Sequence, residues 1–239
     1  MSASLSGKTR VFLAGAAGAI GRRLVPLLTA YGFEVVGTTR AEARAEQLRA
    51  AGVVPMIVNM FDADAVLRAV IEASPTVVIH QLTDLPQVFD SQAMDAARVR
   101  NARLREEATP NLMRAATAAG ARRVIVQSIC FAYAEGPGPH AESDPIDSPS
   151  VRAMEAAALG TAGIDGIVLR YGRLWGPGTW TDVPKGPAPL HVDAAAHAAF
   201  LAITRGTAGV YNIAEADGTV LTDKAQRELG FDANYRLPS

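Results

Sequence analysis

One short stretch decides the fold of this 239-residue chain: Arg10-Val11-Phe12-Leu13-Ala14-Gly15-Ala16-Ala17-Gly18-Ala19-Ile20-Gly21. Its first five residues form a compact apolar run typical of a buried strand, and apolar residues at helical spacing follow over residues 19–31. The three glycines predict a tight turn, a close approach of backbone to a pyrophosphate, and close packing of helix on strand. A strand, a glycine loop and a helix in this order predict a dinucleotide site whose phosphates lie at the helix N-terminus.

Outward from this stretch, short apolar runs alternate with amphipathic segments. Strands are predicted at residues 10–14, 33–37, 53–58, 76–80, 123–127, 166–169 and 210–213, and helices at 19–31, 41–51, 62–73, 93–119, 151–159, 192–204 and 222–229. Apolar strands separated by helices predict an α/β fold, a doubly wound parallel sheet of the Rossmann type. Residues 1–239 are predicted to form a single domain, in which residues 171–239 contribute a small cap on the substrate side.

Composition excludes several classes of protein. The 23 basic and 24 acidic residues give a net charge of −1, which argues against a nucleic-acid-binding protein. The single cysteine, Cys130, cannot form an internal disulfide and is expected to be buried and structural, which fits a reducing cytoplasm. No apolar run reaches the roughly 18 residues of a membrane span. We therefore expect a cytoplasmic protein with a small-molecule substrate.

The end of the second predicted strand bears on the choice of dinucleotide. An acidic residue there would select NAD, but the chain has Thr38, Thr39 and Arg40. A hydroxyl and a guanidinium can bind a 2′-phosphate, so we expect NADP, with Arg40 as the leading contact. In the alternative, Arg40 is only a solvated residue at the start of a helix, and NAD stays possible.

The glycine spacing resembles that of the short-chain dehydrogenase/reductase superfamily, in its NAD-dependent epimerase/dehydratase branch. Similar family segments are found at residues 59–62, 76–83, 101–112, 169–178, 191–193 and 211–213. Glycine loop, second strand and resemblance together give these predicted cofactor-binding residues: Gly15, Ala17, Gly18, Ala19, Ile20, Gly21, Thr39, Arg40, Asn59, Asp62, Leu82, Thr83 and Gln127. The resemblance also implies a possible homodimer through two long helices.

The chain departs from this family in its chemistry. The family's reductases and epimerases use a Tyr-x-x-x-Lys pair together with a Ser or Thr after the fifth strand. The chain has three lysines, and the residues four positions before Lys8, Lys185 and Lys224 are Ser4, Thr181 and Val220, so the pair is missing. Ser128 and Tyr133 are the remaining candidates for catalysis. Ser128 stands one position from the family's hydroxyl and either replaces it or closes the strand, and Tyr133 is either an acid or a packing residue.

Other chemistries find less support. The four histidines lack the spacing of a metal site, so no metal is expected. The loop at residues 175–191 is short for a sugar-nucleotide epimerase, which favours a smaller substrate. Two hypotheses follow. The first is an NADP-dependent oxidoreductase or epimerase-like enzyme acting on a small carbonyl or hydroxyl compound. The second is a non-catalytic NAD(P)-binding redox sensor or regulatory protein.

Overall fold

A computed structural model describes residues 9–86 and 88–238 of the chain. Its strands are β1 (Arg10–Ala14), β2 (Glu34–Thr39), β3 (Val54–Ile57), β4 (Val77–His80), β5 (Arg123–Ile129), β6 (Asp165–Tyr171), β7 (Arg173–Trp175), β8 (Pro189–His191) and β9 (Gly209–Ile213). Its α-helices are α1 (Ala19–Ala30), α2 (Glu42–Ala50), α3 (Ala63–Ala73), α4 (Ser91–Arg103), α5 (Thr109–Ala118), α6 (Pro149–Leu159), α7 (Val192–Leu201) and α8 (Asp223–Leu229).

Seven strands form one parallel sheet in the order β3-β2-β1-β4-β5-β6-β9. The chain runs outward from β1 to β3, then returns to β4 on the other side of β1. This reversal opens a crevice at the carboxyl ends of β1 and β4, where parallel sheets of this type bind ligands. The predicted doubly wound parallel sheet is therefore confirmed.

Helices cover both faces of the sheet, as the continuous apolar strands predict. One face packs on α1 and α7, around Leu24, Leu28 and Ile79, and the other packs on α3, α5 and α6, around Val70 and Leu112. None of the described helices is long and apolar enough to cross a membrane.

The long helical region predicted at residues 93–119 is interrupted by one wide turn. A π-helical turn, Leu104–Ala108, joins α4 to α5. Pro110 is the second residue of α5 and has no N–H to donate to the carbonyl of Glu106. The regular pattern of backbone hydrogen bonds between residues four apart is therefore interrupted here. Pro26, by contrast, lies inside α1 without ending it.

Most of the segment 171–239 belongs to the main layers. β9 is the seventh strand of the sheet and α7 covers one of its faces. β7 and β8 form a separate two-stranded parallel sheet, and β7 begins two residues after β6 ends. The substrate-side cap stays a prediction.

Gly166 tests the packing of α6 on the sheet. A Cβ at this buried position would lie 2.3 Å from the carbonyl oxygen of Ala158. We expect Gly166→Ala to lower the free energy of unfolding by about 2 kcal/mol, because backbone atoms must move apart. Gly136→Ala is the control, since its Cβ would meet only His140 at 3.7 Å. Urea denaturation measures both, and equal midpoints would show that the contact at Ala158 carries no strain.

Candidate functional site

The glycine loop brings three pieces of backbone into close contact. A Cβ on Gly15 would lie 2.5 Å from the carbonyl oxygen of Gln81, at the end of β4. A Cβ on Gly21 would lie 2.3 Å from the carbonyl oxygen of Gly15. The φ of Gly15 is +92°, a conformation that side chains disfavour. Glycine at these positions therefore allows α1 to start directly above the sheet edge.

The N-terminus of α1 is free to receive an anion. Gly18 precedes the helix, and no side chain caps it. The first turn contains no acidic residue, and Arg22 adds a positive charge there. Unpaired N–H groups, the helix dipole and a nearby guanidinium all favour a phosphate at this end. The residues present thus fit the pyrophosphate of a dinucleotide.

A groove runs along the carboxyl edge of β1, β2, β3 and β4. It is lined by eight of the predicted cofactor residues: Gly15, Ala17, Gly18, Thr39, Arg40, Asn59, Leu82 and Thr83. It is also lined by residues absent from the prediction: Thr38, Arg44, Val58, Met60, Phe61, Gln81 and Leu104. Arg44 stands four residues after Arg40, a spacing that the sequence displays, whereas Leu104 begins the π turn, which the sequence did not predict.

The other predicted cofactor residues lie beside the groove. Ala19, Ile20 and Gly21 form the first turn of α1. Asp62 caps α3 by accepting a hydrogen bond from the N–H of Ala65. Gln127 donates its amide to the carbonyl oxygen of Leu82 at 2.7 Å, which holds the loop that follows β4.

Arginines surround the groove where β2 ends. Asp84 forms ion pairs with Arg40, at 3.6 Å between the charged atoms, and with Arg100, at 3.4 Å. The backbone of Asp84 is held in turn by the side chain of Asn101, which accepts from its N–H and donates to its carbonyl. Arg40 has a 65% exposed side chain, so its guanidinium is accessible from the groove. One carboxylate therefore faces two guanidiniums, and Arg44 adds a third cation to this end of the groove.

Ser128 belongs to a buried ion pair. Its hydroxyl donates to Glu155 at 2.6 Å, and the same carboxylate accepts two hydrogen bonds from Arg170 at 2.9 and 2.7 Å. The side chains of Glu155 and Arg170 are 8% and 6% exposed. The Ser128 hydrogen is thus directed toward α6, inside the protein.

Tyr133 lies at the other end of the same network. Its hydroxyl accepts from Arg170 at 2.8 Å and donates to the side-chain oxygen of Asn212 at 2.7 Å. Its ring stacks on His140 with centroids 4.8 Å apart. Burial raises the pKa of this phenol, and Arg170 opposes the rise. The structure therefore brings Ser128 and Tyr133 together through Arg170, and both hydroxyls have protein partners.

His80 ends β4 as a neutral, buried side chain. Burial lowers its pKa to about 4, and the charge of Arg105 acts in the same direction. One ring nitrogen accepts from the N–H of Leu82 at 3.2 Å, and the other lies 3.0 Å from the hydroxyl of Thr109. The imidazole therefore holds the start of a groove-lining loop against α5. We call α4, the π turn and α5 together the central helix.

Two aromatic groups lie in the segments that follow β7 and β5. Trp180 donates to the carbonyl of Pro86 at 2.8 Å and packs edge-on against Phe89, so the loop after β7 meets the loop after β4. Arg173 lies 4.5 Å above the exposed ring of Phe131. Trp180 and Phe131 thus lie in the segments that follow β7 and β5, and a guanidinium covers the face of Phe131.

Thiol and metal chemistry find no support in the site. Burial raises the pKa of the Cys130 thiol to about 12, so it stays protonated near neutral pH. Within the described part of the chain, no cluster of three His, Cys, Asp or Glu side chains could hold a metal ion.

A parallel sheet with a glycine loop, an uncapped helix and a groove at the switch point defines a dinucleotide-binding protein. The chain belongs to the NAD(P)H-binding family, whose sequence model matches residues 15–185. It is also 39% identical to a Streptomyces protein named 3-diazoavenalumate denitrifying reductase, in an alignment that covers 86% of this chain and 76% of the relative.

Solved structures agree with the fold. The dTDP-glucose 4,6-dehydratase of Streptomyces venezuelae, solved with NAD, is 18% identical, with a TM-score of 0.76 over 95% of this chain and 93% of that one. The UDP-glucose 4-epimerase of Thermotoga maritima is 17% identical, with a TM-score of 0.75 over 95% and 94% of the two chains. The chain thus shares the fold of these solved epimerase and dehydratase structures.

The buried imidazole of His80 predicts a pH dependence of stability. Its pKa of about 4 lies below the ordinary histidine value of 6.5, so the unfolded state binds more protons between these two pH values. Stability is fully present above pH 6.5 and falls as the pH drops toward 4. We expect a loss of about 2 kcal/mol between pH 7 and 5 that the variant His80→Asn lacks. Urea denaturation across this range measures it, and parallel pH profiles for the two proteins would contradict the assignment.

Proposed function

We propose that this protein is an NADPH-dependent reductase of small electrophilic substrates. The observation that carries the proposal is the 39% identity to a reductase over most of the chain. The groove and the open N-terminus of α1 support the cofactor part, and the short aromatic loops at Trp180 and Phe131 support a small substrate. Bound NADPH would supply a hydride.

The preference for NADPH rests on charge at the end of β2. Thr39, Arg40 and Arg44 line the groove there, and β2 ends without a carboxylate. A 2′-phosphate carries about two negative charges and accepts several hydrogen bonds, which suits guanidinium donors. In this proposal Arg40 leaves Asp84 for the phosphate, while Arg100 keeps that carboxylate neutralised.

Arg40→Ala is expected to weaken NADPH binding by about 10-fold or more, because a hydrogen bond between charged groups is lost. NADH has no 2′-phosphate, so its dissociation constant should change less than about twofold. Fluorescence titration of both cofactors measures the difference.

Arg49→Ala is the matched control, since Arg49 lies on α2 near Arg44 but pairs with the exposed Glu46. It should leave both affinities unchanged. Equal losses of NADPH and NADH affinity in Arg40→Ala would reject the 2′-phosphate contact and favour NAD.

The polar network around Glu155 bears on the substrate. A carbonyl group needs a proton as it accepts hydride, and the family's usual Tyr/Lys pair is missing. Ser128 and Tyr133, the predicted catalytic residues, already donate their hydrogens to Glu155 and Asn212. A substrate that is already cationic needs no acid. The name of the Streptomyces relative points to a diazo compound. In its cationic diazonium form, R–N₂⁺, such a compound takes a hydride on carbon and breaks its C–N bond, which gives R–H and N₂.

We therefore favour a diazo carboxylate over a carbonyl or hydroxyl compound. The exposed ring of Phe131 would contact its apolar part, and Arg173 above that ring would pair with its carboxylate. Ser128 and Tyr133 then act by holding the end of β5 in place. Their role as acids remains the prediction that applies to a carbonyl substrate.

A substrate panel decides between these chemistries. We expect NADPH oxidation at 340 nm with diazo carboxylates, and at least about 100-fold less with matched ketones, because the free acid is missing. Tyr133→Phe should change kcat for the diazo substrate less than about threefold. A preference for ketones, together with a kcat loss of about 100-fold or more in Tyr133→Phe, would reverse the assignment and make Tyr133 the acid.

A non-catalytic NAD(P)-binding regulator is the second candidate. The observation that favours it is that both candidate hydroxyls are occupied by protein partners. Tight NADPH binding without turnover of any diazo or carbonyl compound would support it over the reductase. A cytoplasmic location and a homodimer stay predictions, and sedimentation of the purified protein tests the second.

A further inference from the structure

Between α4 and α6 lies a half-buried guanidinium that has no carboxylate partner among the described residues. It belongs to Arg105, in the π turn Leu104–Ala108. Its one side-chain contact with a hydrogen-bonding group is with the hydroxyl of Ser150, at 3.5 Å, which is the outer limit of a hydrogen bond. None of the described carboxylates forms an ion pair with it, although neighbouring Arg100 and Arg103 pair with Asp84 and Glu107.

Burial makes this isolation unusual. A guanidinium carries five N–H donors, and a partly buried one without acceptors is unfavourable. Burial lowers the pKa of Arg105, and no carboxylate compensates. By comparison, the buried Arg170 directs its guanidinium at both oxygens of Glu155. The donors of Arg105 are therefore available to a ligand.

The position of Arg105 identifies which part of a dinucleotide it can reach. Its charge acts on His80 at the end of β4, its neighbour Leu104 lines the groove, and Ser150 lies in the first turn of α6. The adenosine half of a dinucleotide would lie toward β2 and β3, where Arg40 stands, and the pyrophosphate at α1. Beyond the pyrophosphate, over β4 and β5, comes the nicotinamide half.

The helix next to Arg105 is α6, and it lacks the lysine of the Tyr-x-x-x-Lys pair that resembling reductases use. α6 reads Pro-Ser-Val-Arg-Ala-Met-Glu-Ala-Ala-Ala-Leu and contains neither tyrosine nor lysine. Its one basic residue, Arg152, is directed at the carbonyl of Ile146 in the preceding loop. Arg105, in the π turn that contacts α6, is a cation beside this helix with no ion-pair partner among the described carboxylates.

We propose that Arg105 binds the two hydroxyls of the nicotinamide-side ribose of NAD(P)H. This inference rests on the proposed cofactor, and it assigns to the central helix a task that the resembling reductases give to a lysine. A planar guanidinium can donate to two adjacent hydroxyl oxygens at once. Because Arg105 stays charged at all relevant pH values, it positions the cofactor without exchanging a proton.

The π turn explains how an arginine comes to occupy this place. A regular helix from residue 91 to residue 118 would carry Leu104 and Arg105 at a different rotation about its axis. Pro110 removes one N–H from the ladder, and the wide turn before it adds a residue to the turn. Leu104 then lies at the groove, and Arg105 faces α6.

Binding of cofactor fragments tests the proposal on the full-length protein. Adenosine 2′,5′-bisphosphate and AMP contain the adenosine ends of NADPH and NADH but lack the nicotinamide-side ribose. Arg105→Met should weaken binding of the preferred dinucleotide about 10- to 100-fold and leave the affinity of its fragment within about twofold. Arg105→Lys should recover part of the loss. Arg98→Met, on an exposed face of α4, should change nothing.

Three results would overturn the proposal. Unchanged dinucleotide affinity in Arg105→Met would remove the contact. Equal losses for dinucleotide and fragment would show a general structural effect. An unchanged cofactor affinity with a raised substrate KM would place Arg105 on the substrate instead. The reductase proposal fails separately, if the wild type turns over none of the substrates. In that case the affinities of dinucleotide and fragment in Arg105→Met still test the ribose contact.

Discussion

The close approach of backbone at the glycine loop is the constraint on which the rest of this structure depends. Gly15 lies against the carbonyl of Gln81, and Gly21 lies against the carbonyl of Gly15, at distances that leave no room for a Cβ. These contacts place the N-terminus of α1 at the crevice between β1 and β4. They also leave its N–H groups without a side-chain cap. Arg40 and Arg44 line the same groove at the end of β2.

The region beyond the anion site differs in its chemistry from what the fold leads one to expect. Where resembling reductases have a tyrosine and a lysine, this chain has a buried ion pair between Glu155 and Arg170 that takes the hydrogens of the nearby hydroxyls into a closed network. Such a network stabilises one arrangement of β5, β6 and α6, but it offers no free acid. The proposed reduction of a cationic substrate requires no such acid. The chain thus has the fold and the phosphate loop of the resembling reductases without their Tyr/Lys pair.

Much of the fold could be predicted from the sequence, and the failures have local causes. All seven strands of the main sheet were predicted, since parallel strands buried on both faces are continuous apolar runs. The short strands β7 and β8 were missed because a Gly- and Pro-rich segment hides three-residue strands. At the site, eight predicted residues line the groove. Two groove residues were missed, Gln81 and Leu104. Gln81 lies in the loop after β4, and Leu104 lies in the π turn, which the sequence did not predict.

The sequence by itself determined the parallel sheet, the phosphate loop, the absence of the Tyr/Lys pair and the arginine at the end of β2. All of these are local, since each depends on residue type and spacing within a few turns of chain. Only the tertiary structure decided that Ser128 and Tyr133 share one network and that Arg105 faces α6 without a carboxylate partner among the described residues. Hydrogen-bond partners and burial depend on which distant segments meet, and residues 105 and 150 meet only because the central helix and α6 pack side by side on the same face of the sheet.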